Sequence, residues 1–262
     1  MNHAAPIVSS PALTLSGGAV LIGGIPIHPI PLGMLVDHVT RRASARAPFE
    51  LISTVNLDFL RLARHDAAFR TVLQQRTTFN VADGWPVQWL AQLRGADAHR
   101  TTGSDLVPAL LQEPVAATNG IYLLGDTAAT VAAVRARGAA DGWAAAIAGA
   151  QSPQPEELVN ELASERIVAE INASGAGVLL VALGAPRQEL WLDRWRWRLK
   201  PSIGIGIGAA LRFLAHPSRR APAWMQHVGL EWLHRLRREP RRLGKRYAAD
   251  FVEFARLLAD RQ

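Results

Sequence analysis

The chain has 262 residues, 49% hydrophobic and 19% charged, which is the composition of a folded protein able to bury a full core and excludes a disordered chain. It contains no cysteine, so disulfides, thiolate zinc sites and cysteine nucleophiles are excluded, and a cytoplasmic setting is suited. The formal charge of +7 calls for an anionic partner; residues 216–262 hold eleven Arg or Lys against five acids, so nearly all the excess lies in the tail and the body is close to neutral.

Residues 1–16 are rich in Ser, Ala and Pro, carry no charged n-region of a signal peptide, and read as a flexible lead-in. The apolar run 17–36 raises the question of a membrane span, but Pro26, Pro29 and Pro31 argue for a β-hairpin from Ala19–Ile22 and Ile25–Ile27 instead. A short helix is predicted over Leu35–Arg46. Phe49–Ser53 reads as a strand, and the apolar spacing over Leu57–Leu73 as one amphipathic helix, which puts Thr54 and Asn56 in a strand-to-helix turn. The same grammar follows at once: Thr77–Val81 as a strand, Asp83 in the turn, Pro86 at a first helical position.

A polar turn, Arg100–Asp105, precedes a helix beginning at Leu106. Gly120–Asp126 reads as a buried strand, Thr127–Arg137 as a helix, Trp143–Ile147 as a weaker strand and Pro155–Ser174 as a helix. Gly177–Leu183 is the clearest strand, a short apolar run bounded by glycines, and Ile203–Gly208 is the last. Strand and helix alternate throughout. That pattern predicts an α/β fold with a largely parallel sheet and helices on both faces, over residues 17–215, followed by a basic helical appendage over 216–262. Ligands of such sheets bind beyond the carboxyl ends of the strands, so the polar turns are candidates for one site.

The turns at Gly125, Gly184, Gly206 and Gly208 each follow a strand and precede a helix, the arrangement that can hold a diphosphate on backbone N–H groups. None is a complete G-x-G-x-x-G, and a single such turn is more often a packing turn. From spacing alone, helix capping stands ahead of catalysis for Asp83, and Thr54 and Asn56 are equally readable as caps. The eight histidines show no H-x-x-x-H or H-E-x-x-H spacing, which disfavours a metal centre, and no G-x-S-x-G elbow supports a serine hydrolase. In the tail, Trp224, Trp232 and neighbouring apolar residues lie beside clustered arginines, a pairing suited to a membrane interface; a solvated basic helix pair packing on the body and nucleic-acid binding are the competing readings, the last without any recognition motif.

The blocks Thr54-Val55-Asn56, Ala82-Asp83-Gly84, Gly103-Ser104-Asp105-Leu106-Val107-Pro108, Tyr122-Leu123-Leu124-Gly125, Leu183-Gly184-Ala185-Pro186-Arg187-Gln188-Glu189, Arg220-Ala221-Pro222-Ala223-Trp224-Met225 and Gly229-Leu230-Glu231-Trp232 resemble, in order, the WecG/TagA/CpsF family, glycosyltransferase family 26. The resemblance covers roughly residues 50–250. It implies a Rossmann-like core with a C-terminal appendage, and an inverting enzyme that needs no metal or cofactor. Such an enzyme moves a sugar from a UDP-sugar to a polyprenyl-diphosphate-linked saccharide at the cytoplasmic face of the bacterial membrane, in cell-surface or exopolysaccharide biosynthesis.

Carried over by motif, the resemblance implies that Asp83 is the base. Thr54 and Asn56 would orient sugar or acceptor, although Val55 stands where the family has proline. Arg100, Gly103, Asp105 and Gln188 would contact substrate, and Gly125, Gly184, Gly206 and Gly208 would line the UDP site. Arg219, Arg220, Arg235, Arg238, Arg241 and Arg242 would meet the lipid diphosphate and the membrane. Homo-oligomers of the soluble form are also implied. N-acetylmannosamine or its uronic acid is placed first as the transferred sugar and glucose second. Outside the family, a nucleic-acid-binding protein would use the basic tail, and a nicotinamide-dependent oxidoreductase would require the glycine fingerprint that is incomplete here.

Overall fold

The computed structural model describes residues 18–227 and 229–260; the lead-in expected at 1–16 lies outside them, as do the side chains of Ala116, Arg219, Ala223, His227 and Arg242. In chain order the elements are β1 (Val20–Ile22), β2 (Ile25–Ile27), α1 (Leu32–Ser44), β3 (Glu50–Val55), α2 (Leu57–His65), α3 (Ala67–Thr71), β4 (Phe79–Ala82), α4 (Trp85–Leu93), α5 (Gly103–Gln112), α6 (Val115–Thr118), β5 (Ile121–Gly125) and α7 (Ala128–Asp141). Then come β6 (Ile147–Gln151), α8 (Pro155–Val159), α9 (Glu161–Ala173), β7 (Val178–Ala182), α10 (Arg187–Trp195), β8 (Ile203–Gly206), α11 (Ala210–Ala215), α12 (Ala223–His227), α13 (Glu231–Arg238) and α14 (Pro240–Ala259).

Strands β3 to β8 form one parallel sheet in the order β4-β3-β8-β7-β5-β6, flanked by helices, as a Rossmann-like α/β fold requires. The expected hairpin is present as the antiparallel pair β1–β2. Strands β5, β7 and β8 are buried along their whole length, which is why they read as continuous apolar runs. Both faces of the sheet are covered: Leu106, Leu110, Val134 and Leu211 pack on one side, and Ile167, Ile171, Trp191 and Leu192 on the other.

Two helices predicted as continuous are broken, each at a residue that caps the next segment. Asp66 adopts an extended backbone and its side chain accepts from the Phe69 N–H, starting α3. Asn160 does the same for α9 by accepting from the Ala163 N–H. Short polar side chains that bond the backbone locally compete with helix continuation, and here they prevail. The last segment is not a free tail. Helix α14 lies against α2 and α4 and places the buried Leu257 in a core with Ile22, Ile25, Phe59 and Leu90. Among the described residues no helix is long and apolar enough to cross a membrane.

Candidate active site

All six parallel strands end on one edge, and the turns that follow them line a single cleft of about 1050 Å³, closed on the far side by α13 and α14. Asn56 follows β3, Asp83 and Gly84 follow β4, and Asp126 and Thr127 follow β5. Ser152 to Pro155 follow β6, Gly184 and Ala185 follow β7, and Ile207 to Ala209 follow β8. The opposite wall brings Glu231, Trp232 and Arg235 from α13 and Tyr247, Phe251 and Phe254 from α14. Arg100 and Gly103 complete the wall near Asp83.

Asp83 is half-buried on this wall. Its N–H donates to the Val55 carbonyl at 2.8 Å, while its carboxylate receives no hydrogen bond from any described residue. Burial pushes the carboxyl up to about 7, the nearby Glu231 pushes in the same direction, and Arg235 and Arg100 oppose them. A carboxyl raised toward neutrality, without a hydrogen-bond partner among the described residues and facing the cleft, is equipped to accept a proton.

Arg100 is held at this end of the cleft by Asp105 at 3.4 Å and by Glu231 at 3.9 Å. Asp105 lies off the cleft wall and also pairs with Arg220, which in addition donates to the Ser104 carbonyl at 3.3 Å. Burial works against its charge, but hydrogen bonds from Arg220 and Thr102, with the charges of Arg220 and Arg100, hold the Asp105 carboxyl below the usual carboxylate range. The charged form of Asp105 therefore anchors Arg100.

Thr54 belongs to β3 and its hydroxyl donates to the Gly206 carbonyl at 3.0 Å, tying β3 to β8 just below the cleft. Asn56 caps α2 by accepting from the Phe59 N–H at 3.3 Å, and lines the cleft as well. Capping and exposure to ligand are compatible at this position, because the side chain uses one oxygen for the helix.

Gln188 reaches the cleft but is almost fully buried. Its Oε1 accepts from the Gly184 and Gly208 N–H groups, both at 3.2 Å, which staples the β7 and β8 exits together. Its Nε2 donates at 2.7 Å to Glu189, a carboxyl with no solvent exposure, and burial pushes Glu189 up to about 8. Gly206 is explained by this pair: a Cβ there would stand 2.2 Å from Glu189 Oε1 and 2.5 Å from Gln188 Nε2.

Of the residues singled out from sequence, the cleft wall gathers Thr54, Asn56, Asp83, Arg100, Gly103, Gly184, Gln188, Gly208 and Arg235. Asp105, Gly125, Gly206, Arg220, Arg238 and Arg241 are not on it. Gly125 packs instead against the Ala182 backbone, whose carbonyl oxygen would lie 2.7 Å from a Cβ. The side chains of Arg219 and Arg242 lie outside the described residues. Asp126 stood in the candidate turn at Gly125 and Glu231 in a family block, neither with a side-chain role of its own, and Arg212 was not singled out; all three line the cleft. For Asp126 there was a signal, a polar residue directly after a strand-ending glycine; for Glu231 and Arg212 the helix pattern carried none.

A parallel sheet whose six carboxyl ends open into one roomy cleft, with a carboxyl that no described residue hydrogen-bonds and arginines beside it, defines a ligand-binding α/β protein equipped for proton transfer beside anionic groups. The sequence matches the profile of the Glycosyl transferase WecG/TagA/CpsF family over residues 20–262, nearly the whole chain, and the protein belongs to that family. It is a glycosyltransferase, an enzyme that transfers sugars.

Proposed function

We propose that the chain transfers a sugar, N-acetylmannosamine or its uronic acid, from a UDP-sugar to a polyprenyl-diphosphate-linked saccharide, with inversion at the anomeric carbon. The observation that carries this reading is Asp83: a carboxyl without a hydrogen-bond partner among the described residues, raised to about 7, facing a cleft bordered by arginines. In the proposed step the acceptor hydroxyl gives its proton to Asp83 as its oxygen attacks the anomeric carbon. The bond from that carbon to the phosphate oxygen breaks, and UDP leaves with the electron pair. Arg100, fixed by Asp105 and Glu231, stabilises the charge that grows on the leaving diphosphate.

The acceptor's lipid end fits the appendage side of the cleft. There α13 and α14 expose Trp232, Leu233 and Phe251 and, on the same two helices, Arg237, Arg238 and Arg241, a combination suited to the inner, anionic face of a bacterial membrane.

The test is transfer of radiolabel from a panel of UDP-sugars to a short polyprenyl-diphosphate saccharide, with EDTA present, comparing wild type with Asp83→Asn. Label moving from one donor, UDP-N-acetylmannosamine or its uronic acid before UDP-glucose, and falling by about 10²- to 10⁴-fold in the variant, is the expected result. An Asp83→Asn protein with full activity would remove Asp83 as the base. Transfer from none of the donors would remove the substrate assignment.

A further inference from the structure

We propose that Arg212, held in place by Asp126, is a second residue, besides Arg100, through which the cleft binds the diphosphate of the nucleotide-sugar donor; this rests on the donor reading above. Asp126 leaves β5 with φ +57°, a left-handed conformation that non-glycine residues enter only at a cost. Its side chain is only 2% exposed, and both carboxylate oxygens are used: Oδ1 accepts from the Thr127 N–H at 2.8 Å and Oδ2 from Arg212 Nε–H at 2.9 Å. Arg212 comes from α11, its side chain is 46% exposed, and it lines the same cleft. Its two Nη groups have no partner among the described residues.

As a stabiliser this pair has little to offer, since an ion pair with a half-exposed partner contributes little and the strained Asp126 backbone offsets it. As a binding device it is well formed. A guanidinium gripped through Nε by a buried acid cannot swing, and it keeps its Nη donors for a planar, two-point contact with phosphate oxygens.

The strand order gives the pair its place along the donor. Asp83 lies at the β4 edge of the sheet and Ser152 to Pro155 at the β6 edge, while Arg212 and Asp126 bridge the exits of β8 and β5 across β7. The β4 and β5 exits are four strand spacings apart, about 19 Å. A donor laid along this edge with its sugar toward Asp83 carries its nucleoside toward the β6 exit. Its diphosphate then falls between, at Arg212.

The experiment is calorimetric titration of the full chain with pyrophosphate, UDP and uridine, for wild type, Arg212→Ala and Asp126→Gly. Glycine accepts φ +57° without strain, so Asp126→Gly removes the carboxylate without taxing the backbone. Both variants are expected to weaken pyrophosphate and UDP, Arg212→Ala by about tenfold to a hundredfold, and to leave uridine unchanged. Wild-type affinity for UDP in Arg212→Ala, or an equal loss for uridine, would overturn the assignment while leaving the UDP reading intact. Arg212-dependent binding of pyrophosphate in a chain that ignores UDP would keep the anion site and overturn the UDP reading. A wild-type chain that binds neither pyrophosphate nor UDP overturns both.

Discussion

Asp83 carries a carboxyl near 7 chiefly because it is desolvated, and Glu231 adds to this from the opposite wall. In the proposed step Asp83 accepts a proton and so works only when ionised, and turnover is expected to rise with pH through about 7. Glu231→Gln removes a charge that holds the carboxyl up and frees Arg100 from one of its partners, so the rising limb should move to lower pH; a pH–rate profile unchanged in that variant would contradict this. Glu189 gives a second pH effect of different kind. Its carboxyl is raised from 4.5 to about 8 by burial, so between these values the folded state holds a proton that the unfolded state releases. Stability from this group is therefore full below about 4.5 and is lost as pH rises toward 8. Glu189→Gln, which keeps an acceptor for Gln188 and cannot ionise, should flatten the fall in denaturant midpoint over that window.

At the scale of elements, the cleft depends on how α14 is seated. Arg61 joins α2 to α14 through Asp250 at 3.4 Å, and Glu253, almost fully buried, accepts from Arg256 on its own helix and approaches Arg64 of α2 at 3.4 Å. Leu257 is fully buried and meets the β1–β2 turn, where a Cβ on Gly23 would stand 3.0 Å from its side chain. Leu257→Ala should therefore cost about 2–5 kcal/mol in chemical denaturation. Since Tyr247, Phe251 and Phe254 ride on the same helix, the variant should also raise the KM for acceptor more than that for donor. The roles of α13 and α14 as cleft walls rest on contacts made across some two hundred residues of chain, which is why the amphipathic pattern of the tail could not choose between a membrane, a nucleic acid and packing on the body.

For the whole molecule the distribution of charge is the deciding quantity. A body close to neutral carries a tail with eleven cationic residues, of which Arg237, Arg238, Arg241 and Lys245 are exposed. Each such charge near an anionic bilayer is worth about 1 kcal/mol. Arg237→Ala with Arg241→Ala is expected to weaken binding to phosphatidylglycerol vesicles by about tenfold or more in sedimentation assays, with the difference shrinking as salt is raised. Equal binding to neutral vesicles would show that the exposed aromatic residues, not the arginines, carry the attachment.

Sequence by itself determined the strand and helix alternation, the parallel sheet, the hairpin, the concentration of charge in the tail and the family resemblance, because these depend on local periodicity, turn chemistry and residue order. It also determined that the turns after β3, β4, β7 and β8 are polar or glycine-rich at the strand ends where ligands gather. The tertiary structure alone decided that Gly206 yields space to the Gln188–Glu189 pair and that Gly125 serves packing. It also decided that Glu231 faces Asp83 and that Asp126 grips Arg212. Each of these depends on groups distant in sequence brought together by the fold, and no pattern along the chain encodes which acid will meet which arginine.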